Sequence, residues 1–170
     1  IQFPKVKTTA KSGETGEKVV PSSGITTIVD TVEYTNLIAG KTYTMKGYLV
    51  DKVTGKAIYE DGKKITAETT FTAEKESGTV EMTFTVDAKT LAGKTVVVFE
   101  NCYYEGVKVG SHADINDNEQ TVKFPEIKTS AKDVESGTQT AKPEGMVTIV
   151  DTISYKNLVV GKTYTMKGIL

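Results

Sequence analysis

The chain has 170 residues, 38% of them hydrophobic, and 21 basic side chains against 22 acidic ones give a formal charge of -1. That is enough apolar material for a sandwich-sized core, and it leaves no basic stripe for a phosphate backbone, so nucleic acid is not an expected partner. No apolar run approaches the roughly 20 residues of a membrane span and no charged-then-apolar leader opens the sequence, so no membrane insertion is expected of this segment.

Taken in order, the segments alternate in polarity and are separated by turn signals, which is the pattern of an antiparallel sandwich. In Val6-Lys7-Thr8-Thr9-Ala10-Lys11 the apolar face carries Val6, Thr8 and Ala10, while Lys7, Thr9 and Lys11 face water. The next strand places Asp30 between Ile28 and Val32. Tyr43, Met45 and Leu49 share one face of a third strand, and Met82, Phe84 and Val86 one face of a later one. Gly40, Thr54-Gly55, Asp61-Gly62, Ser77-Gly78 and Gly93 punctuate the gaps, and only Asp87 to Ala92 reads as a helical turn. The run VVVFE puts Glu100 on the face of Val96 and Val98, and Cys102 follows it as a small buried hydrophobe with no disulfide partner. After HADINDNEQT, with the lone His112, comes a last strand in which Gln120 shares its face with Val122 and Phe124. About seven strands are expected, in an all-β, immunoglobulin-like (CnaB-like) Greek-key sandwich.

A long-period repeat sets the organisation. PKVKTTAK at Pro4 returns as PEIKTSAK at Pro125, and IVDTVEYTNLIAGKTYTMKGYL at Ile28 returns as IVDTISYKNLVVGKTYTMKGIL at Ile149, both at a spacing of 121 positions. Residues 1–124 are therefore read as a complete module and residues 125–170 as the N-terminal part of a second, incomplete one. That second copy cannot close a sandwich from its own residues.

Thr8, Asp30, Glu100 and Gln120 all fall on apolar faces. Each alone has an ordinary explanation in hydrogen bonding to nearby backbone, but two carboxylates, a hydroxyl and a carboxamide on four strands are costly to bury without a shared site. The inward threonine recurs in the second copy as Thr129, although its outward neighbour changes from Thr9 to Ser130.

The signatures KTTA at Lys7, IVDT at Ile28, GKTYTMKG at Gly40, VVFE at Val97 and HADINDNEQT at His112 resemble the VaFE-repeat, or Thr–Gln ester-bond, domains of Gram-positive surface adhesins. The resemblance implies that a first-strand threonine is joined to a last-strand glutamine. Carried onto this sequence, Thr8 is the nucleophile, Gln120 the acyl donor, and His112, Asp30 and Glu100 the assisting groups, with His112 taking the Thr8 proton. The alternation selects the same inward residues and favours Thr8 over Thr9. The second copy matches through Thr129 and Asp151 only, so no cross-link is expected within it.

The expected function is thus structural: a stalk module of a surface adhesin, locked by a self-made ester that resists force, heat and proteases. It completes one turnover per molecule and is not an enzyme. No cofactor or metal is expected. The expected partners are neighbouring tandem modules of the same protein and, through other domains, a host-surface ligand; the expected location is extracellular, on the cell surface, with cell-wall anchoring through a region outside this chain. One alternative is a Lys–Asn isopeptide module, which needs an inward lysine, whereas Lys5, Lys7 and Lys11 fall on the solvent face. Another is a calcium- or ligand-binding module, since Asp114, Asn116 and Asn118 alternate like calcium ligands but lack the loop's glycine and closing glutamate. A hydrolase built on the same Thr, His and carboxylate set is a third; Gln120 pointing at that set argues for an internal substrate.

Overall fold

A computed structural model describes residues 2–170. Twelve strands run in chain order: β1 (Lys5–Ser12), β2 (Ile25–Thr35), β3 (Thr42–Asp51), β4 (Tyr59–Glu60), β5 (Lys63–Lys64), β6 (Thr66–Thr72), β7 (Gly78–Asp87), β8 (Thr95–Tyr104), β9 (Val107–His112), β10 (Thr121–Lys123), β11 (Glu126–Asp133) and β12 (Ile149–Lys156). A 3-10 turn, Ala88–Leu91, lies between β7 and β8, capped by the Asp87 carboxylate accepting from the Lys89 amide.

The first module packs an antiparallel sheet in the order β1-β2-β7 against a second in the order β10-β8-β3-β6. Both sheets give their apolar residues to one core that includes Ile28, Met45, Leu49, Phe84, Val98 and Phe124. Burial alternates along β1 and β2 as a half-buried strand requires, with Val6, Thr8, Ala10 and Ser12 inward on β1 and Ile28, Asp30, Val32 and Tyr34 inward on β2. Gly47 on β3 marks the closest approach of the layers, because a Cβ there would lie 2.7 Å from the Phe84 ring on β7. The hairpins β4–β5 and β8–β9 turn on Asp61-Gly62 and Glu105-Gly106, all four residues at positive φ, the two-residue turn that matches strand twist.

The outer edge of β8 is shared. β9 pairs with Glu100 to Tyr104 and β10 with Thr95 to Val97, so the segment between His112 and Thr121 loops out in the middle of one edge. The loop is pinned from both layers: Val98 donates to the Gln120 carbonyl, and Ala10 of β1 donates to the Glu119 carbonyl. First strand and last strand thereby lie side by side at the seam of the sandwich.

In the second copy, β11 and β12 repeat the β1–β2 register position for position, with Thr129 opposite Ile153 as Thr8 is opposite Val32. No second layer lies over them among the described residues. Ile127, Ile149, Val150, Ile153 and Tyr155 are exposed, although they belong to the kind of strand that buries one face in the first copy. A two-stranded ribbon is marginal in water. Limited trypsin digestion in dilute solution should therefore cut within 125–170 well before residues 4–124; equal resistance of the two copies would contradict this.

Candidate cross-linking site

Thr8 on β1 and Asp30 on β2 sit on neighbouring strands of one sheet, since Thr8 faces Val32 and Ala10 faces Asp30 across the ladder. Glu100 comes from β8 of the other sheet, and Gln120 from the end of the loop that precedes β10. All four are buried. The carboxamide of Gln120 is the hub: its Nε2 lies 2.5 Å from Thr8 Oγ1 and 2.5 Å from Glu100 Oε2. The first of these contacts joins residues 112 positions apart, and it is closer than an ordinary N–H···O hydrogen bond. The Thr8 hydroxyl also reaches Glu100 Oε1 at 3.4 Å. Thr9 points away from this cluster, half-buried on the other face of β1.

Two carboxyls in so dry a place cannot both ionise cheaply. Burial pushes Glu100 up to about 11, and the neighbouring Asp30 charge adds to the shift. Burial raises Asp30 as well, while the nearby Glu100 and Thr8 side chains hold it partly down, followed by the Lys18 and His112 charges. Neither Asp30 oxygen receives a hydrogen bond from a fixed donor. A carboxylate pair without a proton would leave it unsatisfied; one proton, held on Glu100, gives Asp30 its partner. Both shifts favour the protonated form, and a shared proton relieves the repulsion between the two carboxyls.

His112 stands at the end of β9 directly across from Glu100. Among the described residues no hydrogen bond joins it to Thr8 or Gln120. Its Nε2 is instead 2.8 Å from Asp117 Oδ2. Asp117 in turn accepts the Glu119 amide through Oδ1 at 2.8 Å, and its carbonyl accepts from the Thr121 hydroxyl at 2.7 Å. Partial burial would raise Asp117, but the His112 hydrogen bond and the Glu119 amide outweigh it and hold the carboxylate below its usual range.

Sequence reasoning did not single out Asp117. The signal was its place five residues after His112 and three before Gln120, inside a turn in which Asp114, Asn116 and Asn118 were the residues weighed. That turn uses its acids on itself: Asp114 Oδ1 accepts the Asn116 amide at 2.9 Å. No group of metal-holding side chains occurs among the described residues. Lys18 was missed as well; its ammonium donates to the Ala10 carbonyl at 2.8 Å and to the Glu119 carbonyl, tying β1 to the loop that carries Gln120. Lys5, Lys7 and Lys11 are exposed, and Cys102 is fully buried, its thiol pushed up to about 11 by that burial.

These placements give distinct expectations for single variants. Thr9→Ala should leave any Thr8 chemistry untouched. His112→Ala and Asp117→Asn should slow it by similar factors, because the second loosens the group that the first removes. Following the loss of ammonia by intact mass over time after expression would read both, and an unaffected rate in Asp117→Asn would remove the positioning role from that residue.

A family model for the T-Q ester bond containing domain matches residues 4–124 and again residues 125–170. No curated protein matches the chain in sequence. Among solved structures, a bacterial adhesin from Mobiluncus mulieris containing intramolecular disulfide, isopeptide and ester bond cross-links is similar in fold, at 18% identity and a TM-score of 0.62 over 91% of this chain and 76% of that one. A second crystal form of that adhesin gives 19% identity and a TM-score of 0.61 over 91% and 75%. A glycosyl hydrolase family 2 member from Bacteroides cellulosilyticus shares the sandwich at 13% identity and a TM-score of 0.52, over 79% of this chain but only 16% of its own. With the same family model spanning both copies of its repeat, the chain belongs to the T-Q ester bond containing domain family.

Proposed function

We propose that this chain is a structural segment of a bacterial surface adhesin, a stalk module that cross-links itself through a Thr8–Gln120 ester. The observation that carries the proposal is the buried contact of the Gln120 carboxamide with the Thr8 hydroxyl and Glu100. Membership of the ester-bond family and the fold shared with a cross-linked adhesin support it.

An amide is a poor electrophile and a threonine hydroxyl a poor nucleophile, so both need help. The Thr8 oxygen attacks the side-chain carbonyl carbon of Gln120 as its proton passes to the carboxyl pair, whose Glu100 Oε1 lies 3.4 Å from the hydroxyl. Protonated Glu100, with Oε2 2.5 Å from Gln120 Nε2, is the acid that returns a proton to the departing nitrogen. One C–O bond forms, one C–N bond breaks, and one ammonia leaves. His112, anchored on Asp117 through Nε2 and paired across the ladder with Glu100, assists the carboxyl pair from the neighbouring strand. Asp117 engages only Nε2 of that ring, so Nδ1 stays available for the direct base role expected of His112, an alternative route for the Thr8 proton.

The mechanical value follows from the path of force. Tension arriving at Thr8 crosses the ester to Gln120 and meets Thr129 of the next copy nine residues later, about 30 Å of extended chain, bypassing the sheets. Such a module suits an extracellular stalk whose wall anchor and ligand-binding parts lie in other regions of the protein.

Intact mass tests the reading: the purified chain should be short of its sequence mass by one ammonia, without added substrate. After unfolding, hydroxylamine or mild base should open the link, which separates an ester from a lysine isopeptide. A full sequence mass would overturn the proposal.

A further inference from the structure

The junction between the two copies is built, not merely connected. Phe124 is fully buried in the first module's core, its amide donating to the Lys94 carbonyl at 2.9 Å while its own carbonyl accepts from the Gly93 amide at 3.0 Å. Asn157 of the second copy, held at a positive φ of 62°, lays its side-chain amide on this last rung. Nδ2 donates to the Lys94 carbonyl and to the Phe124 carbonyl, each at 3.0 Å. One amide group has two hydrogens, and both are used.

The same pieces recur 121 positions earlier. Phe3 corresponds to Phe124 and Asn36 to Asn157, and Ile1-Gln2-Phe3-Pro4 repeats the pattern of Val122-Lys123-Phe124-Pro125. Asn36 is also at positive φ, 63°, and its Nδ2 donates to the Phe3 carbonyl at 2.9 Å. Here only half of the clamp is engaged among the described residues, and the Phe3 side chain is 76% exposed where Phe124 is fully covered. A phenylalanine and a half-used amide sit where, one repeat on, the same two residues grip the base of a module.

Building on the tandem-array reading, we infer that Phe3 and Asn36 are the docking face for the base of a preceding module of this same repeat. Gln2 and Phe3 continue that module's final strand, Phe3 fills the end of its core, and Asn36 clamps the carbonyl that corresponds to Lys94. The partner is specified by the observed junction: the end of a β8–β10 pair with its Gly-Lys turn. Successive modules would then be stacked at a fixed angle, with no flexible linker.

The test is the full chain preceded by a copy of residues 4–121, so that Thr121 is followed by Ile1. Spin labels on the two complete modules should give one narrow distance distribution, and Asn36→Gly, which keeps the positive φ but removes the amide, should broaden it at least twofold. Phe3→Ser should lower the unfolding temperature of the preceding module by on the order of 10 °C and leave that of the following one unchanged. A distribution equally broad with and without the Asn36 amide, or a Phe3→Ser variant with both transitions unshifted, would overturn the inference. Both modules short of one ammonia yet moving independently would overturn it while leaving the ester standing; a full mass with rigid stacking would do the reverse.

Discussion

Thr8→Ala is expected to lower the unfolding temperature of the first module by on the order of 15 °C. The cross-link closes a loop between residues 112 positions apart. By analogy with a disulfide over roughly 100 residues, that restriction of the unfolded chain is worth about 4–5 kcal/mol at most, and a degree scale of several degrees per kcal/mol follows for a domain of this size. Gln120→Ala should lose a similar amount and regain the full sequence mass. Thr8→Ser separates the covalent effect from packing, because it keeps the hydroxyl within reach of the carboxamide; it should retain the ammonia deficit and most of the stability. Calorimetry on the three variants decides it. Equal unfolding temperatures for the parent and Thr8→Ala would mean that the link does not brace the fold.

The second large effect is on pH dependence, in the Thr8→Ala background where no ester masks it. Glu100 has an ordinary value of 4.5 and is pushed up to about 11 in the fold by burial and by Asp30. A carboxyl that is raised on folding lends its stability fully below the unfolded value, and loses it as pH climbs toward the folded one. Between pH 5 and pH 8 the un-cross-linked module should therefore weaken with rising pH, by a ceiling of about 1.4 kcal/mol per pH unit for one proton. Asp51 and Asp117 are shifted the other way: the Lys94 and His112 contacts respectively outweigh partial burial, so their contributions fail only under acid conditions and stay out of this window. Adding Glu100→Gln should flatten the slope, since an amide can satisfy Asp30 without titrating. Thermal melts across that range would show it, and an unchanged slope in the double variant would reassign the proton to another group.

Much of the site was legible because a strand has a period of two. Thr8 lies between Val6 and Ala10, Asp30 between Ile28 and Val32, and Glu100 two residues from Val98, so each face assignment followed from its neighbours alone. The structure buries all of them. Asp117 and Lys18 were not legible on that basis. Both act from loops, where no periodicity marks a side chain's direction, and their partners, His112 and the carbonyls of Ala10 and Glu119, are assembled only when the two layers close.

The octapeptide GKTYTMKG occurs twice, at Gly40 and at Gly161, and separates what is local from what is not. In both copies the tyrosine hydroxyl accepts a backbone amide five residues back at 2.9 Å, from Ile38 to Tyr43 and from Val159 to Tyr164, and both glycines hold a positive φ. The turn is therefore written in the sequence by itself, as are the repeat, the β1–β2 register and the inward faces. Yet Thr42 onward is strand β3 in the first copy, whereas Thr163 to Leu170 forms no strand. The difference lies in β6 and β8, which flank β3 and satisfy its backbone in the first copy and, among the described residues, have no counterpart beside the second. A strand's hydrogen bonds belong to its neighbours, and so does a site whose hydroxyl, carboxyl pair and carboxamide come from two sheets: alternation can point each side chain inward, but only the closing of the seam brings Gln120 onto Thr8.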